Sequence, residues 1–196
     1  MEYNVYAPPA AMVMDAPRAN APEFYVVSRT KFLVLFFVTM GAYQLYWFYK
    51  HWARYRAYRR EDLWPVARAI FPVFFTHSLS GEIDQSLARA DTQHRWSPEA
   101  LATGYVIFAV AGSLCDRLAA NEIGSPTTDI IGLLSLLPIG YCLWRIQDAA
   151  NRACGQPHGE SNRGFTWANG LWIVLGILLW GLMVLGLAMI FGLVPE

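Results

Sequence analysis

Gly170–Val194 reads GLWIVLGILLWGLMVLGLAMIFGLV, and the uncharged run that contains it extends from Gly164 to Pro195. An α-helix rises ~1.5 Å per residue and the bilayer hydrocarbon is ~30 Å thick, so about twenty apolar residues suffice to cross it. This run exceeds that length, which predicts a transmembrane helix over residues 168–194, with Thr166 as its cap. Its small residues, Gly176, Gly181, Gly186, Ala188 and Gly192, are of the kind that let neighbouring helices approach closely in lipid.

Working outward, the whole chain has a membrane composition. Of its 196 residues 55% are hydrophobic and only 15% charged, well below the ~25% charge typical of soluble domains. Three further spans are expected. Phe32–Tyr49 is uncharged between Lys31 and Lys50 and predicts a span over 32–52. Ser97, Pro98 and Glu99 form a helix start, leading into a span over 99–120. After a short turn at Asn121–Gly124, a span over 128–147 contains Pro138 and continues as a polar helix to a stop at Gly155.

The segment 62–92 is different. Arg68, Pro72 and His77 interrupt its apolar core, so it reads as a re-entrant or interfacial amphipathic helix, with Ile83 and Leu87 on one stripe. Residues 1–24, rich in Ala and Pro, read as a disordered tail, and 25–196 as one membrane domain. The expected fold class is therefore all-α: a polytopic membrane helix bundle of four transmembrane helices plus that one re-entrant or interfacial helix. Lys50–Arg95 and Arg145–Arg163 carry eight and three cations, so the positive-inside rule places both loops in the cytoplasm and both termini outside.

Two groups of residues are candidates for function. Lys50, Arg54, Arg56, Arg59 and Arg60 form a basic collar, interleaved with aromatic rings, where the first span would leave the membrane. Such a collar attracts anionic lipid headgroups at about 1 kcal/mol per charge. Membrane proximity explains both residue types, so no nucleic acid is expected as a partner. Arg68, His77, Asn151, Asn162 and Asn169 are polar residues near the membrane, and they either line a polar path or are structural groups satisfied by water and headgroups. His77, Glu82, Asp84, Asp91 and His94 match no metal-ligand spacing, and Cys115, Cys142 and Cys154 are isolated, so neither a metal nor another cofactor is expected. No catalytic residue stands out, and no enzyme is expected.

TKFLVLFFVTMGAYQLYWFYKHW (Thr30–Trp52), RAIFPVFF (Arg68–Phe75) and NRGFTWANG (Asn162–Gly170) resemble an uncharacterised family of small bacterial multi-span inner-membrane proteins. Its members share an aromatic LYWFYK-type end to the first span. The resemblance covers Phe24 to Val194 and implies a multi-pass protein of the bacterial cytoplasmic membrane, with no implied activity. The expectation is a non-enzymatic membrane anchor or scaffold whose cytoplasmic segments bind lipids or a partner, which could be a second copy or another membrane protein. The alternative is a small transporter or channel subunit with Arg68 and His77 along a polar path.

Overall fold

The computed structural model describes residues 21–193; the expected tail over 1–24 lies mostly outside them, as does the last residue of the expected 168–194 span. Seven α-helices are present among the described residues: α1 (Arg29–Val38), α2 (Tyr43–Arg59), α3 (Pro65–Ile70), α4 (Pro72–Arg89), α5 (Pro98–Ala119), α6 (Thr127–Ala153) and α7 (Trp167–Ile190). Three of them, α5, α6 and α7, are long and apolar enough to cross a membrane, which marks the chain as a membrane protein. Their starts follow the sequence signals: Pro98 opens α5 after Ser97, and Thr166 caps α7 in a reciprocal capping box with Asn169. Gly155, at φ 68°, follows the end of α6.

The expected span over 32–52 is not one helix. It breaks at Thr39–Ala42, and the two halves, α1 and α2, fold back on each other. Ring contacts fix the antiparallel register: Phe32 packs on Tyr43 and Trp47, Tyr25 on Tyr46 and His51, and Phe24 on Tyr55. The turn sits beside the middles of α6 and α7. Val38 lies against Gly176, Phe36 and Phe37 against Gly140, and Gly41 against Leu136.

A buried turn must satisfy its own backbone, because water does not reach it. This one does. Thr39 is buried, and its Oγ1 donates to the Leu35 carbonyl (2.7 Å) and accepts from the Tyr43 N–H (2.9 Å). The Gly41 N–H donates to the Phe36 carbonyl (2.8 Å), and the Trp180 Nε1–H donates to the Phe37 carbonyl (2.9 Å). Met40 and Gly41 reverse the chain at φ 51° and 83°, conformations that glycine adopts without strain. An unbroken uncharged run hides such a turn, since hydropathy does not distinguish a crossing helix from a hairpin.

Residues 62–92 likewise form two helices. Pro72 opens α4 at its first turn instead of kinking a longer helix, so α3 and α4 meet at Phe71. The α4 stripe is as expected, with Leu79, Ile83 and Leu87 buried. Ile70, Phe71 and Phe74 at the junction are exposed.

Polar contacts sort the chain into two ends. Glu23–Lys31, the C-terminal part of α2, the α4–α5 connection, and the segment from Arg145 to Thr166 gather at one end. The α5–α6 turn and the last residues of α7 lie at the other. Every Lys and Arg among the described residues belongs to the first end except Arg117 and Arg68, which lies on α3 over the Trp52 ring. The sequence reading put the two termini on the same side. Here the described N-terminal residues join the basic end, because Lys31 Nζ donates to Asn162 Oδ1 (2.8 Å) and the Gly164 carbonyl (2.6 Å), whereas α7 runs away from it.

Candidate functional site

The basic end is organised around an extended segment, Glu23–Val27, whose five residues are all buried. Outside helices and sheets a buried strand of backbone needs side-chain partners. Three polar residues supply them. Gln147 Nε2 donates to the Tyr25 carbonyl (2.9 Å) and to Asn151 Oδ1 (2.7 Å). Asn151 pairs with Val27 in both directions, accepting from its N–H (3.3 Å) and donating to its carbonyl (2.9 Å). Asn162 Nδ2 donates to the Val26 carbonyl (2.9 Å) and the Tyr25 hydroxyl (3.0 Å). Gln147 Oε1 meanwhile accepts from Trp47 Nε1 (2.5 Å) and lies 3.1 Å from His51 Nε2, joining α2 to α6.

Glu23 anchors the start of this segment. Its carboxylate, 7% exposed, accepts from Arg59 Nε (2.8 Å), Arg89 Nη2 (3.3 Å) and Ser86 Oγ (2.7 Å). Glu23 and Phe24, expected at the edge of the tail, are thus part of the packed body. Their opposite charges and apolar partners come from α2 and α4, far away in sequence. His51 is fully buried, and desolvation pushes its pKa from 6.5 down to about 3, so the ring is neutral. Burial also pushes the Cys154 thiol up to about 11, which keeps it protonated and unreactive.

The sequence-predicted residues separate into distinct roles. In the collar, Arg54, Arg56 and Arg60 are exposed, Lys50 leans over the Tyr46 ring (5.8 Å), and Arg59 is held by Glu23. Arg68 and His77 do not meet. Arg68 stacks on Trp52 (4.2 Å) and Phe75 (5.2 Å), whereas His77 is exposed, with Nε2 3.0 Å from Thr103 Oγ1. Asn151 and Asn162 clamp backbone, and Asn169 belongs to the α7 capping box. Among the described residues no group of three or more His, Cys, Asp and Glu side chains could hold a metal ion.

Gln147, His51, Glu23 and Tyr25 escaped the sequence reading. The one available signal was Gln147 and Asn151, four residues apart near the end of an apolar helix and so on one face. No family model, curated protein or solved structure matches the chain.

Proposed function

We propose that the protein is a non-enzymatic membrane anchor or scaffold in which three spans hold a basic platform on the cytoplasmic face of a bacterial inner membrane. The carrying observation is the charge asymmetry: with Arg117 the sole described cation at the far end, the positive-inside rule puts the N-terminal side in the cytoplasm and the end of α7 outside. This orientation uses three crossings instead of four. The α1–α2 and α3–α4 pairs act as re-entrant hairpins entering from the cytoplasmic side. Two features support that reading: the internally satisfied turn at Thr39–Ala42 and the exposed apolar residues Ile70, Phe71 and Phe74. The near-membrane polar residues Gln147, Asn151 and Asn162 bind the chain's own backbone, as a scaffold requires, and Arg54, Arg56 and Arg60 face outward to meet anionic headgroups.

Fusing a reporter active only outside the cytoplasm to Met1, Glu122, Glu160 and Glu196 tests the arrangement. Signal is expected at Glu122 and Glu196 and none at Met1 and Glu160. Signal at Met1 or Glu160 refutes it.

A small transporter or channel subunit is the second reading, favoured by one observation. A cleft of about 480 Å³ from the far end reaches the hairpin turn at Met40 and Gln44, past Ser113, Asp116, Asp129 and Ser135. Its path would not involve Arg68 or His77. Cation flux in proteoliposomes that Asp116→Asn abolishes would establish this reading over the first.

A further inference from the structure

A second cleft, of about 680 Å³, opens at the basic end between the start of α1, the end of α6 and the loop leading to α7. Arg29, Arg145, Arg152 and Arg163 all line it. Their charges are unequally matched. Arg152 Nε is 3.0 Å from Asp148, which also lies 3.5 Å from His94, and Arg163 reaches Glu160 only at 3.9 Å. Among the described residues Arg29 and Arg145 form no salt bridge. The cleft therefore carries net positive charge.

Aromatic neighbours fix both of those guanidinium groups. Arg29 lies over the Trp144 ring at 4.0 Å, and Arg145 Nη1 donates to the Tyr141 hydroxyl at 3.2 Å. A planar guanidinium held this way keeps other N–H donors for a bidentate contact with phosphate, and less freedom is lost when the contact forms. Arg29 and Thr30 are also the opening residues of α1, where N–H groups lack helical partners.

Depth decides the source of the anion. Trp144 and Phe165 line the cleft, and Trp167 beside them is 81% exposed, the aromatic arrangement expected at headgroup level. Directly below Arg145 on the same face of α6, Tyr141, Leu137 and Leu134 are 49%, 57% and 53% exposed. An open apolar track thus begins where the cations end, a layout that suits a molecule with a phosphate head and hydrocarbon tails.

We propose that this cleft binds the phosphate of an anionic phospholipid from the cytoplasmic leaflet, held by Arg29, Arg145 and Arg163, with its acyl chains along Tyr141, Leu137 and Leu134. The assignment rests on the scaffold reading above and gives it one specific lipid site, separate from the collar.

The test uses the full-length protein in neutral detergent, mixed with equimolar phosphatidylglycerol and phosphatidylcholine, with retained lipid counted by native mass spectrometry. Wild type should retain phosphatidylglycerol in preference to phosphatidylcholine. Arg29→Gln with Arg145→Gln should lower that retention about tenfold, as expected when charge-assisted hydrogen bonds are lost. Arg163→Gln, at an exposed position that cannot unfold the chain, should lower it less. Arg117→Gln, exposed at the opposite end of the molecule, should leave it unchanged, and free inorganic phosphate should not displace the lipid. Wild-type retention without headgroup preference, undiminished retention in both cleft variants, or displacement by inorganic phosphate would each overturn the proposal. The reporter fusions report on the scaffold reading independently, so failure of one is distinguishable from failure of the other.

Discussion

Replacing Gln147 with Leu tests whether the buried amide at the α2–α6 junction holds the basic end together. The wild-type side chain, 1% exposed, serves four partners: Trp47 Nε1, His51 Nε2, the Tyr25 carbonyl and Asn151 Oδ1. Leucine leaves three of them stranded. Asn151 Oδ1 retains the Val27 N–H, but Trp47 and the Tyr25 carbonyl lose a buried partner, and His51 is left with none, since its Nδ1 is already unpaired. At about 1–3 kcal/mol per stranded group the gross cost is about 3–6 kcal/mol, allowing for non-additivity. Burying leucine in place of the amide returns about 1–2 kcal/mol, leaving a net loss of about 2–4 kcal/mol. For a chain of this length that corresponds to a fall in Tm of about 5–15 °C. Thermal unfolding of the detergent-solubilised protein measures it, with the exposed Gln93→Leu as a control that should shift little. A Gln147→Leu variant melting with wild type would refute the idea that this amide organises the fold.

The hairpin turn is probed by Thr39→Val, which keeps the shape but strips the Tyr43 N–H of its acceptor; a loss of about 1–3 kcal/mol is expected, recovered in Thr39→Ser, by the same melting assay. At Gly159, φ is 66° and a Cβ would collide with the backbone of Val27 and Ser28, so Gly159→Ala should lower Tm markedly. Gly164→Ala, where a Cβ meets open space, should not. Stability should also fall with acid through His51. Folded, it takes up a proton only near pH 3, while the unfolded chain does so near 6.5. Between those values the unfolded state binds more protons, so stability is complete above pH 6.5 and declines below it at up to about 1.4 kcal/mol per pH unit. Denaturation curves across that window should flatten in His51→Gln; an unchanged slope would place the titrating group elsewhere.

The basic collar was legible as a cluster of charges, but its division of labour was not. Nothing in the order of residues 50–60 distinguishes Arg59, which turns inward to Glu23, from Arg56 and Arg60, which stay exposed. The difference depends on Glu23 arriving from a segment 36 residues earlier. Arg68 and His77 share this limitation. Both read as expensive polar intrusions into an apolar run, yet Trp52 and Phe75 cover one and Thr103 meets the other, partners that a linear sequence does not bring alongside.

Hydropathy, charge and capping chemistry are local properties, and on their own they determined the helical class, the three long apolar helices, the starts at Pro98 and Thr166, and the stop at Gly155. They also marked residues 62–92 as no ordinary span. The reversal at Met40–Gly41 was beyond them, because an uncharged run is equally apolar whether it crosses or turns back. Only packing against Gly140 and Gly176, with Thr39 and Trp180 satisfying the exposed backbone, selects the hairpin. That one tertiary choice brings Glu23–Lys31 to the basic end beside α6, and with it the clamps of Gln147, Asn151 and Asn162 and the arginine-lined cleft come into existence.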